Sequence, residues 1–84
     1  MSIFQSIVNH KINTITTEEL LKYAKQFGVT ISVNEAKQIS SYLRGRQVDI
    51  FNKSERAKLL KEIERLTSPA TAKAVSQLVT QFTK

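Results

Sequence analysis

The stretch at residues 28–51, GVTISVNEAKQISSYLRGRQVDIF, decides the fold. Its middle reads as a helix over Val33–Leu43, because Ala36, Ile39 and Leu43 recur at i, i+3 and i+7, one stripe of a 3.6-residue period. Both ends carry stop signals. Ser32 and Glu35 have capping-box spacing, in which the hydroxyl accepts from the Glu35 N–H and the carboxylate accepts from the Ser32 N–H. Gly45 follows the last periodic residue, where a left-handed cap carries no Cβ penalty for glycine. On either side lie alternating runs, Val29-Thr30-Ile31-Ser32-Val33 and Val48-Asp49-Ile50, whose period of two sets their apolar side chains on one face. The centre of the chain is therefore a short helix between two extended arms.

Working outward, four more helices follow. Toward the N-terminus, residues 2–13 place Phe4, Ile7, Val8 and Ile12 in an apolar stripe that Ile15 extends. His10 and Lys11 do not make the basic polar face of a membrane-surface helix, so the stripe is expected to pack in the core or a dimer. Thr16 and Glu19 repeat the capping-box spacing, with Glu18 and Glu19 at the positive end of the helix dipole. The helix they open buries Leu20, Ala24 and Phe27 and closes at Gly28. Toward the C-terminus, Asn52 and Glu55 open a helix through Leu66, with Leu59, Ile63 and Leu66 inward. On its outer face Lys58 with Glu62 and Lys61 with Glu64 are spaced as local ion pairs. Ser68 caps the last helix, and Pro69 takes its first position, where the missing N–H costs nothing. Ala72, Val75, Val79 and Phe82 give that helix a face to dock. The expectation is one all-α domain over residues 1–84, a bundle of five helices with at most a minimal two-stranded pairing of 29–31 and 48–50.

Composition narrows the function classes. A chain of 84 residues buries a limited core, so stability is modest or shared with a partner. No cysteine is present, which removes disulfides, thiolate nucleophiles and Cys-ligated metals. Neither a signal peptide nor an apolar run long enough for a membrane span is visible, and the expected location is cytoplasmic, with no membrane partner. The formal charge of +6 favours acidic partners. It is spread along the chain: +1 over residues 1–30, +3 over 31–66 and +2 over 67–84.

The inventory for catalysis is thin. His10 is the single histidine, and Glu18, Glu19, Glu35, Glu55 and Glu62 all have structural explanations at helix N-termini or in local pairs. No enzyme, cofactor or metal is expected. An EF-hand is excluded, because the loop after Gly28 has no carboxylate and residues 49–55 lack the D-x-[DN]-x-[DN]-G run. A helix-turn-helix is suggested by ELLKYAKQFGV, with Ala24 four residues before Gly28. Its register then breaks: the positions six and nine after the glycine are Asn34 and Lys37, and Ala36 and Ile39 come two residues late. An αα unit with an extended connector is the expectation instead.

The remaining candidates are cations around the central and fourth helices. Lys37, Arg44 and Arg46, with Lys58, Lys61 and Arg65 at i, i+3 and i+7, would form one patch if the two helices pack side by side, and Tyr42 would stack on an exposed base. Each residue also has a structural explanation, Arg44 and Arg46 at a helix C-terminus and the fourth-helix cations beside their glutamates. The leading expectation is a non-enzymatic module binding RNA or DNA phosphates through these residues. The alternative is a protein-interaction module or homodimer using the apolar faces of the first and last helices.

The runs IFQSIVNHKINTIT, ELLKYAKQFGVTIS, YLRGRQVDIFN and TSPATAKAV resemble a family of short uncharacterised proteins of Bacillus-type Firmicutes. The similarity spans nearly the whole chain. It implies a small single-domain bacterial protein of unknown function, with no site residues to carry over.

Overall fold

The helix boundaries follow from local chemistry. The computed structural model describes residues 2–83. Among these lie α1 (Ile3–Asn13), α2 (Thr17–Gln26), α3 (Val33–Leu43), α4 (Lys53–Leu66) and α5 (Pro69–Thr83), with no strand. Both capping boxes form: Thr16 Oγ1 accepts from the Glu19 N–H at 3.1 Å and Ser32 Oγ from the Glu35 N–H at 3.2 Å, each returned by the glutamate. Gly28 and Gly45 take positive φ, +73° and +83°, and turn the chain out of α2 and α3. Ser2, Asn52 and Ser68 accept from the N–H three residues on. Asn52 departs from the box pattern, because the Glu55 carboxylate accepts from the Asp49 N–H instead.

Packing pairs α2 with α3 and α4 with α5, and contacts of α2 with α5 and α3 with α4 close the bundle. Leu20, Ala24, Ala36, Ile39, Leu43, Leu59, Ile63, Ala72, Val75 and Val79 form the core, as the periodicity requires, joined by Ile12, Ile15, Ile31, Ile50 and Leu78. Ile39, Ile50 and Ile63 are the largest fully buried side chains, each worth about 1.5–3 kcal/mol of burial. Polar links tie the helices at their rims. Thr17 and Ser40 hydroxyls lie 3.0 Å apart between α2 and α3. The Glu35 carboxylate joins the N-terminus of α3 to the Thr71 hydroxyl in the first turn of α5, and Lys11 pairs with Glu19 across α1 and α2. Phe82 meets Tyr23 and Phe27 edge-on, at ring-centroid distances of 5.4 and 6.2 Å.

The two arms do not pair with each other. Asn13 takes the place of a neighbouring strand: its Oδ1 accepts from the Val48 N–H at 3.0 Å and its Nδ2 donates to the Val48 carbonyl at 2.9 Å. One turn earlier, Asn9 Oδ1 accepts from the Ile50 N–H at 3.0 Å and Nδ2 donates to Asp49 Oδ1 at 2.8 Å. The backbone groups a ladder would use are thereby satisfied by side chains, and Ile50 is held fully inside the core.

This clasp sets the rotation of α1. Its inward face is Gln5, Val8, Asn9, Ile12 and Asn13, at i, i+3, i+4, i+7 and i+8. Ile3, Phe4 and Ile7 are left 82%, 63% and 63% exposed. The expected stripe of Phe4, Ile7, Val8 and Ile12 is thus split between two faces. Phe27, expected inside, is 39% exposed. None of the described helices is long and apolar enough to cross a membrane.

Candidate nucleic-acid interface

The cations meet where α3 ends. Arg44, the C-cap, is extended (φ −64°, ψ 123°), Gly45 follows in the left-handed region, and the Arg46 N–H donates back to the Leu43 carbonyl at 3.1 Å. This reversal lays the Arg46 guanidinium over the ring of Tyr42, with its central carbon 4.1 Å from the ring centroid. Tyr42 is half-buried. Lys58 and Glu55 from the first two turns of α4 face the pair, and with Gln47 and Leu59 they line an open cleft of about 260 Å³. The ring holds the guanidinium at the mouth of the cleft, and its N–H fork is the donor geometry that suits a phosphate.

Carboxylates moderate the charge. Arg65 donates to Glu62 in a bidentate i, i+3 pair. The hydrogen bond from Arg65 chiefly, helped by the charges of Arg65 and Arg46, holds the Glu62 carboxyl below its ordinary pKa. Glu62 is thereby committed to Arg65, and among the described residues Lys58 pairs neither with it nor Lys61 with Glu64; the local pairs expected from spacing are replaced by this one. Around the cleft stand three cations, Arg46, Lys58 and Arg65, against Glu55 and Glu62. The structure therefore brings Tyr42, Arg46 and Lys58 into one cleft, with Arg65 beside it through Glu62. Lys37, Arg44 and Lys61 are exposed on the surface and do not line the cleft. One face of Tyr42 is covered by Arg46, which leaves it an anchor for the guanidinium more than an open stacking platform.

A second cleft shares Gln47 and Val48 with the first. Ser6, Asn9, His10 and Asn13 of α1 face Gln47, Val48 and Asp49 across about 390 Å³. Asp49 is anchored there by one oxygen: Oδ1 accepts from Asn9 Nδ2 and, at 3.0 Å, from the Phe51 N–H. Ser6, His10 and Asp49 share this cleft, yet no hydrogen bond joins them among the described residues, so they are not a proton relay. Nor do three or more His, Asp or Glu residues converge as a metal site there. Asn9 and Asn13 were not singled out from sequence. Their signal is an i, i+4 amide pair on a helix otherwise rich in apolar residues, with a buried Ile50 downstream.

Over residues 1–83 the chain matches the family model described as protein of unknown function (DUF2624), and it belongs to that family. It is 43% identical over 83 residues to the uncharacterized protein YqfT of Bacillus subtilis (strain 168), covering 99% of each chain. No solved structure matches it.

Proposed function

We propose that this protein is a small non-enzymatic module that binds RNA or DNA phosphates through the Tyr42–Arg46–Lys58 cleft. The observation that carries the reading is the Arg46 guanidinium held over Tyr42 beside Lys58. A cation oriented in advance loses less freedom on binding than a loose one. The exposed Arg44, Lys37 and Lys61 add long-range attraction, consistent with the net charge of +6. We also assign the protein to the cytoplasm, where nucleic acid is at hand and a chain without cysteine has no disulfide to maintain. The test is binding of a fluorescent single-stranded oligonucleotide at two salt concentrations. With three phosphate contacts, affinity falls about 20-fold between roughly 50 and 200 mM salt. The folded Arg46→Glu, Lys58→Glu double variant loses binding; unchanged affinity in it overturns the reading.

A second reading rests on Ile3, Phe4 and Ile7, an exposed apolar group on one helix. It makes α1 a self-association face, monitored by sedimentation at rising concentration. The last helix, expected to share that role, has its apolar residues Ala72, Val75, Leu78 and Val79 buried within the chain.

A further inference from the structure

Building on the phosphate reading, we propose that the polar cleft between α1 and Asp49 receives a nucleobase carrying an exocyclic amine, with cytosine the simplest case, and that Asp49 Oδ2 accepts the hydrogen bond from that amine. The two clefts share Gln47 and Val48 as their common wall. A ligand lying across this wall meets cations on one side and amides with a carboxylate on the other. That polarity matches a nucleotide, whose phosphate is anionic and whose base edge carries donors and acceptors. Only an unpaired base can enter a cleft, because a base within a duplex is held between its stacked neighbours and against its partner strand, so the substrate class is single-stranded nucleic acid.

Asp49 sets the selectivity. Its Oδ1 already accepts two hydrogen bonds, from Asn9 Nδ2 and the Phe51 N–H, whereas Oδ2 has no hydrogen-bond donor among the described residues. The carboxylate is thus oriented, with one oxygen left as an acceptor. The N4 amine of cytosine suits that acceptor. In uracil the same position is a carbonyl, which the carboxylate repels. Exposed Gln47, His10 and Ser6 complete the lining.

The experiment compares fluorescent rC6 and rU6 binding to the full chain at about 50 mM salt. A charge-assisted hydrogen bond set against a repulsion gives about a tenfold preference for rC6. Asp49→Asn keeps the oxygen that Asn9 and Phe51 hold and replaces the other by an amide donor, so the preference reverses toward rU6. Equal affinities in the wild type, or an unreversed preference in folded Asp49→Asn, overturn the base-reading proposal while the phosphate reading stands. Should Asp49→Asn fail to fold by circular dichroism, amide shift mapping of the wild type decides: rC6 moves Asn13, Gln47 and Asp49, and shifts equally large with rU6 overturn the proposal. Wild-type affinity in Arg46→Glu, Lys58→Glu, or no binding of either oligonucleotide, overturns the phosphate reading and this inference with it.

Discussion

The two terminal helices carry apolar stripes of similar length, yet α5 buries its stripe and α1 turns half of its own to solvent. In α5, Ala72, Val75, Leu78 and Val79 are all below 8% exposed, and the polar residues between them have no task inside the bundle. In α1, Asn9 and Asn13 have such a task, because the N–H groups of Val48 and Ile50 need acceptors where the chain descends into the core. A helix cannot turn these amides and Phe4 and Ile7 inward together. An unsatisfied buried N–H costs about 1–3 kcal/mol, comparable to burying one large apolar side chain, and the contest goes to the amides because their face also carries Val8 and Ile12 inward. Apolar periodicity therefore names the face a helix is able to bury, and a partner segment with unmet hydrogen bonds can choose another.

The contrast can be broken at several points. The largest effect belongs to α5: Leu78→Ala, a buried truncation, costs about 2–5 kcal/mol in urea unfolding. Asn9→Ala comes next. It strands the Ile50 N–H and one oxygen contact of Asp49, for a loss of about 1–3 kcal/mol, and it releases amide exchange protection at Ile50 before that of α4. A cost near zero would mean that α1 is held by apolar packing alone.

Acid sharpens the same comparison at the helix N-termini. The Thr71 hydroxyl foremost, with the Ser32 N–H, holds the Glu35 carboxyl below its ordinary value of 4.5. The stabilisation is therefore complete above about pH 4.5 and drains away as pH falls through the lower folded-state value. Glu19 follows the same sign through its pair with Lys11. Thermal melts should show a falling Tm below pH 4.5, with a shallower fall in Glu35→Gln. The smallest effect is on the exposed half of α1: Phe4→Ser changes stability by no more than about 0.5 kcal/mol. A large loss there would show that Phe4 is covered in solution, as self-association requires.

Much of the fold was legible because it is written locally. Capping boxes, the two positive-φ glycines and Pro69 mark helix ends within four residues of chain, and the stripes of α2 to α5 select most of the core. The clasp was not legible, since Asn9 and Val48 are far apart in sequence and asparagines on a helix read as surface. The same holds for the arms, whose alternation buries Ile31 and Ile50 but ends before Val33, which opens α3 and is 55% exposed, and the partner of 48–50 is a pair of side chains. Of the candidate cations, spacing alone could not separate Arg46 from Arg44. The turn at Gly45 does so, directing Arg46 back over Tyr42 and Arg44 away from the cleft.

The most direct test of the phosphate-binding cleft is an amide chemical-shift map of the full chain titrated with single-stranded oligonucleotide at about 50 mM salt and again at about 200 mM. Shifts concentrated in residues 42–49 and 55–59, fading at the higher salt, with the exposed apolar residues Ile3, Phe4 and Ile7 quiet, are the expected result. Unmoved resonances at Arg46 and Lys58 would contradict it, and movement confined to Ile3, Phe4 and Ile7 would make the exposed face of α1 the functional surface.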